Sequence, residues 1–299
     1  MRRLLVAVAA VTVALSGCGA LRVSVERIPE SPTGEGVSPT SSSPSPQSSG
    51  TAKVSRSART ALERVVADHS DDHLVIALAP VGGQGEPVTV GTDEPTPAWS
   101  TVKVPLALAA HRAHPQDADT RADVEAALVR SDNDAAMRLW TGLGTRTQAR
   151  RAVEAVLRDG GDRSTRVEDE QTAPGFSPFG QTRWRPEDQA RFMAGAACLP
   201  DAETVLEPMG RVVDWQDWGL GRLEGAVAKG GWGPTPEGYV VRQVGLVPGA
   251  KGGQVAVAVQ VRTSSYEAGT AVLDEVGAVV ESHVGQLPSG RCEKAAQAR

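Results

Sequence analysis

The heptapeptide Pro97-Ala98-Trp99-Ser100-Thr101-Val102-Lys103 decides how this chain is read. It opens an apolar, helically spaced run from Val102 to Ala110, so Ser100 stands at a helix N-terminus, where unpaired backbone N–H groups and the macrodipole favour negative charge. Lys103 follows three residues later, on the same helix face and within reach of that hydroxyl. A lysine works as a base only when burial lowers its pKa, and arginine cannot do so at all. The plainer reading is a serine N-cap followed by a solvated lysine. Lysine usage favours the chemical reading. Lys53, Lys103, Lys229, Lys251 and Lys294 are the only lysines among 31 basic residues, so arginine supplies most of the positive charge. A lysine then marks a place where an ionisable amine matters.

Two further strings lie outward from this one. Ser131-Asp132-Asn133 separates the helical runs DVEAALVR and DAAMRLW. Ser131 there can relay a proton, Asn133 can hold a substrate amide and Asp132 can cap the second helix, although a helix N-cap alone would explain the string. Lys229-Gly230-Gly231-Trp232 closes a strand-like run. The two glycines leave its edge open to an extended substrate, and Lys229 supplies positive charge for a carboxylate; a Gly-rich turn after a strand is the ordinary alternative.

Periodicity orders the rest. A helix is expected over 57–69, strands over 73–81 and 88–90, and helices over 102–110, 123–130, 134–143 and 148–158. Another helix follows Pro186 to about Cys198, then strands over 224–229, 239–247 and 254–263 and a closing helix over 268–284. This order predicts one α/β sandwich with a helical subdomain, about residues 100–200, inserted between its halves.

SxxK at a helix start, SDN at a helix corner and a Lys-Gly strand, in that order, resemble the three signatures of class A β-lactamases and penicillin-binding proteins. The resemblance covers roughly 56–287. It implies a five-stranded antiparallel sheet flanked by helices, with Ser100 acylated and Lys103 and Ser131 moving protons. Asn133 would position the acylamide and Lys229 would attract a carboxylate, beside Gly230 and Gly231. The N–H groups of Ser100 and Trp232 would form the oxyanion hole. No cofactor or metal is implied. The chain departs from the family at three places, the first a short spacing between Ser100 and Ser131 that implies a trimmed helical subdomain and a more open cleft. Gly230 stands where a Thr or Ser belongs, which removes a charged hydrogen bond worth about 1.5–3 kcal/mol. The loop TRVEDEQTAPGFSPFGQTRW offers Glu168 and Glu170 as bases for deacylation but lacks the family's Glu-x-x-x-Asn, so a solvated acidic loop is the preferred reading and a long-lived acyl-enzyme is expected. Trp215, Trp218 and Trp232 flank the third motif and could line an aromatic cleft wall, with core positions the preferred reading.

The expected activity is thus an acyl-serine hydrolase acting on a β-lactam or on a cell-envelope peptide or ester. The alternatives are a D-alanyl-D-alanine peptidase with slow deacylation and a non-catalytic binding or scaffold protein of the same fold.

With 299 residues, 40% of them hydrophobic, and a net charge of -5, the chain can bury a core and carries no basic footprint for nucleic acid. Met1-Arg2-Arg3, the apolar run to Leu15 and the small residues after it read as a signal peptide over 1–17, and Leu15-Ser16-Gly17-Cys18 resembles the lipobox of bacterial lipoproteins, an ordinary secretory signal being the alternative. A lipid on Cys18 would then hold the protein at the outer face of a cell membrane. Ser, Pro, Gly and Thr dominate 30–52, so 18–54 is expected to be a disordered tether and 55–299 the folded domain. Cys198 and Cys292, exported, are candidates for a disulfide and lack the spacing of a metal site. The Arg-over-Lys and Ala/Val/Gly bias suggests a GC-rich, actinobacterial envelope.

Overall fold

The computed structural model describes residues 53–83 and 85–293. The segments expected to be a signal peptide, a lipidated Cys18 and, but for its last two residues, a tether lie outside the described residues. The chain enters through α1 (Arg56–Asp68), capped by the Ser55 hydroxyl, which accepts from Ala58 N–H. Helix α1 buries Ala58, Leu62 and Val65, the apolar stripe of its sequence. Strands β1 (Val75–Pro80), β2 (Val88–Val90) and the two-residue β3 (Thr96–Pro97) follow. The helical insert comprises α2 (Lys103–Ala113), α3 (Ala118–Val129), α4 (Asn133–Gly142) and α5 (Arg146–Asp159). The chain returns through β4 (Arg183–Trp184), α6 (Pro186–Ala196) and α7 (Glu203–Met209). Strands β5 (Val227–Thr235), β6 (Gly238–Pro248) and β7 (Gln254–Thr263) and helix α8 (Tyr266–His283) complete the fold.

The main sheet has the order β2-β1-β7-β6-β5, with antiparallel neighbours throughout. It separates two apolar cores. One lies against the helical insert and α6, around Leu106, Leu128, Phe179 and Trp184. The other lies against α1 and α8, around Leu62, Val241, Val257 and Val276. Strands β1 and β7, buried on both faces, read as the near-continuous apolar runs VIALAP and VAVAVQV.

Helix α7 is not expected from the periodicity, and two further departures bear on the site. The expected strand over 224–229 extends to Thr235, so Lys229-Gly230-Gly231-Trp232 lies inside β5 and not at a turn. Its register on β6 is continuous, with Lys229 opposite Val244, Gly230 opposite Gln243 and Gly231 opposite Arg242. A strand pattern with three glycines looks weak, but packing requires them here. A Cβ at Gly231 would stand 2.9 Å from Ser100 N and Ala98 O, and one at Gly233 2.6 Å from the Trp99 ring. The second departure is the pair β3–β4, with Thr96 opposite Trp184. Two-residue strands carry no periodicity of their own.

Arg242 on β6 anchors that small sheet from below. Its fully buried guanidinium donates to Thr96 O (3.2 Å), Pro97 O (3.2 Å), Trp184 O (3.0 Å) and Gln189 Oε1 (2.8 Å). Burial pushes its pKa down to about 9. The anchored segment ends three residues before Ser100.

Cys198, just past α6, is bonded to Cys292. The bridge closes a loop of sequence separation 94, for which chain entropy alone gives about 4.7 kcal/mol, while disulfides typically contribute about 2–4. The Cys198→Ala/Cys292→Ala protein should lose about 2–4 kcal/mol of unfolding free energy in urea titrations, with the reduced wild type matching it.

Candidate active site

Ser100 lies in a 3₁₀ turn, Trp99–Val102, that leads into α2. The residue before it, Trp99, has φ +50, a left-handed conformation that costs a non-glycine residue about 1–3 kcal/mol. The kink turns β3 into the helix, and the Trp99 indole packs over Gly233 and edge-on against Phe176, with ring centroids 5.0 Å apart. Ser100 N–H belongs to the first turn and has no acceptor within the helix. Gly231 brings β5 against that N–H, since any larger residue would collide with it. The strand edge and the helix start thus converge on one point, where two backbone donors can serve a developing oxyanion.

Lys103 starts α2 and is buried. Its amine donates to Ser131 O (2.6 Å) and Asn133 Oδ1 (2.8 Å) and lies 3.3 Å from Ser131 Oγ. These three acceptors match the three donors of an ammonium. The sequence places Lys103 within reach of Ser100. The structure turns its amine to the SDN corner, and among the described residues the Ser100 hydroxyl makes no hydrogen bond. Burial pushes the Lys103 pKa down to about 7, against the raising influence of Asp132.

Ser131 also has positive φ, +55, which bends the chain between α3 and α4. Asp132 caps α4 by accepting from Ala135 N–H at 2.8 Å. That backbone hydrogen bond holds its carboxyl below the usual range. The bent corner aims Ser131 Oγ at a second amine: Lys229 Nζ donates to it at 2.9 Å and to Gly230 O at 2.9 Å. Lys229 is wholly buried, and desolvation together with the neighbouring Lys103 charge lowers its pKa well below the ordinary lysine value. Residues from α2, the α3–α4 corner and β5 therefore meet within hydrogen-bond distance of one hydroxyl.

They lie in a cleft of about 840 Å³ lined by Ser100, Lys103, Ser131, Asn133, Trp232 and the loop around Phe176. Neither Glu168 nor Glu170 lines it. The Glu168 carboxylate accepts the N–H groups of Asp169 and Glu170 and so holds its own loop, while Glu170 is exposed. The carboxylate from that loop that does line the cleft is Asp169, which is tied to Arg150 at 2.9 Å. Gly230 also differs from its expected place. A Cβ there would stand 2.7 Å from the Trp218 ring, so an indole fills the space of the missing hydroxyl. The tryptophans expected in the core divide. Trp218 is buried, Trp232 is half-buried on the cleft wall, and Trp215 is exposed on the same wall.

Sequence reasoning missed Asp169, Arg146, Phe176 and Tyr239 as cleft residues. Phe176 alone had a signal, as an aromatic in a Gly/Pro-rich loop. Among the described residues no cluster of His, Cys, Asp and Glu can hold a metal ion.

With this geometry the chain is similar to three solved β-lactamases. The one from Bacteroides cellulosilyticus, described as a class A representative, gives a TM-score of 0.61 at 16% identity, covering 77% of this chain and 99% of that one. The enzyme from Xanthomonas campestris pv. campestris gives 0.57 at 20%, covering 77% and 98%. The chromosome-encoded enzyme of Vibrio parahaemolyticus gives 0.57 at 15%, covering 76% and 98%. This is the class A β-lactamase fold. At these identities the likeness is one of architecture. No protein-family model matches the chain, and no curated protein matches its sequence. Within the β-lactamase fold, the helical insert and the β5 edge form the two walls of the cleft, as the order of motifs implied.

An amine with a pKa of about 7 becomes a base as pH rises through that value. The rate of Ser100 acylation should therefore climb between pH about 6 and 8 and level off above, read as labelling rate against pH. Lys103→Arg, which cannot lose its proton, should cost about 10²–10⁴-fold at every pH.

Proposed function

We propose that the protein is an acyl-serine hydrolase of the penicillin-recognising type, with Ser100 as nucleophile. The observation that carries this reading is Ser131 Oγ, held 2.9 Å from the Lys229 amine and 3.3 Å from the Lys103 amine beside the serine in the cleft. A purely structural corner has no need of two buried lysines without a carboxylate between them.

In the proposed sequence, Lys103 Nζ rotates from Ser131 O to accept the Ser100 proton as Oγ adds to the substrate carbonyl. The oxyanion lies against the N–H groups of Ser100 and Trp232. Collapse breaks the bond to the leaving group, which takes a proton from Ser131 Oγ, itself resupplied through the two amines. Asn133, whose Oδ1 is held by Lys103, has its amide N–H₂ left to bind the acyl carbonyl side. Water then releases the acyl group. The absence of Glu168 and Glu170 from the cleft favours slow release, the behaviour of a peptidase of the D-alanyl type more than of a fast β-lactamase. The substrate classes are a β-lactam or a peptide or ester of the cell envelope. The lipobox at Cys18 supports a lipid-anchored location on the outer face of the membrane, and composition supports an actinobacterial envelope.

The test is intact mass of the protein during incubation with a fluorophosphonate and, separately, with a fluorescent penicillin, beside Ser100→Ala. A fluorophosphonate adduct that requires Ser100 is expected, and a penicillin adduct, where it forms, should persist for many minutes. Absence of a Ser100 adduct with either probe would leave a binding protein of the same fold.

A further inference from the structure

The β5 wall of the cleft is aromatic where a carboxylate subsite would need polar groups. Three observations bear on this. The position beside Lys229 is closed, because the Trp218 ring occupies the volume next to Gly230 and leaves no room for a Thr or Ser. That ring is fixed: Trp218 Nε1 donates to Tyr266 Oη at 2.9 Å, Tyr266 Oη donates to Trp215 O at 3.1 Å, and Gln243 Nε2 donates to Trp218 O at 2.8 Å.

The cation expected there is also spent. Lys229 is wholly buried, with its hydrogen bonds directed to Ser131 Oγ and Gly230 O. The lining arginine, Arg146, stands across the cleft at the start of α5.

The third observation concerns exposure. Among the described residues the exposed large hydrophobic side chains are Trp215 (60%) and Phe176 (38%), and both line this one cleft. Trp215 and Trp232 form a T-shaped pair, with centroids 5.8 Å apart, and the exposed part of the Trp215 indole is open to a stacking ligand. Its loop sits beside the proton-relay corner, since Val213 N–H donates to Val129 O at 3.1 Å, two residues before Ser131. An exposed indole that its own fold holds in place loses little entropy on stacking with a flat ligand.

We propose, resting on the hydrolase reading above, that the substrate is a carboxylic ester whose leaving group is an uncharged aromatic or similarly flat apolar alcohol, seated on Trp215. A β-lactam or an acyl-D-amino acid places a carboxylate on its leaving side, and such a charge would meet a buried Lys229 and an indole where the hydroxyl beside it would stand. An aryl alcohol brings no such charge. The balance is that of ordinary acyl transfer. Ser100 Oγ–H adds to the ester carbonyl and gives its proton to Lys103, the C–O bond breaks, the alcohol takes a proton through Ser131, and water later converts acyl-Ser100 to the free acid and serine.

The experiment uses the intact protein and two aryl acetates of similar size and leaving-group acidity, 4-carbamoylphenyl acetate and 4-carboxyphenyl acetate, with phenol release followed under single-turnover conditions. Fluorophosphonate labelling of Ser100 is measured on the same samples. The neutral ester should acylate Ser100 at least tenfold faster than the carboxylated one, and Trp215→Ala should remove most of that difference, the ratio being taken within each protein so that a general change in Ser100 reactivity cancels. A ratio at or below one with labelling intact, or a Trp215→Ala protein that treats the pair as the wild type does, overturns the leaving-group assignment and leaves the hydrolase. Loss of both labelling and phenol release overturns the hydrolase reading and this inference with it.

Discussion

Two buried lysine amines share one serine hydroxyl, and the architecture of the site follows from keeping them there. An ammonium taken out of water is costly unless its donors are met, and among the described residues no carboxylate forms an ion pair with either amine. Lys103 is satisfied by two acceptors on Ser131 and one on Asn133, and Lys229 by Ser131 Oγ and a strand carbonyl. These acceptors exist only because the chain bends at Ser131 with positive φ, so the corner, the helix start and the strand must be correct together. The unfavourable charge is resolved by lowered pKa values, which also turns Lys103 into a base near neutrality.

A second constraint is closeness. Strand β5 must touch the turn that carries Ser100, and side chains would hold them apart. Gly231 and Gly233 remove that obstacle at the two contact points, while Arg242, opposite Gly231 on β6, reaches under the same turn to fix Thr96 and Pro97. A serine anchored from below and flanked by a strand edge is preorganised, with its backbone donors set before substrate arrives. The strain at Trp99 belongs to the same device, since the kink allows strand and helix to meet at Ser100.

The outer part of the cleft follows different rules. Its walls come from loops, around Phe176 and around Trp215, and loops on a rigid scaffold are where one architecture acquires different substrates. The fold shared with β-lactamases at 15–20% identity therefore describes the frame around Ser100. The Trp218 ring beside Gly230 speaks to what that frame accepts.

The sequence by itself determined the helical insert between two β segments, the long strands and helices, and the three motifs with Ser100, Lys103, Ser131, Asn133 and Lys229. These are local matters of periodicity, capping and residue chemistry, and each is written within a few positions. Tertiary structure alone decided that Lys103 turns to Ser131 and Asn133, that Glu168 holds its own loop, that Gly230 is filled by an indole from 12 positions upstream, and that Trp215 is exposed while Trp218 is buried. Each of these depends on which distant segment occupies a given volume. It also made β5 continuous through its glycines, because a residue without a side chain gains its place from what packs against it, and that partner is absent from its own neighbourhood in the chain.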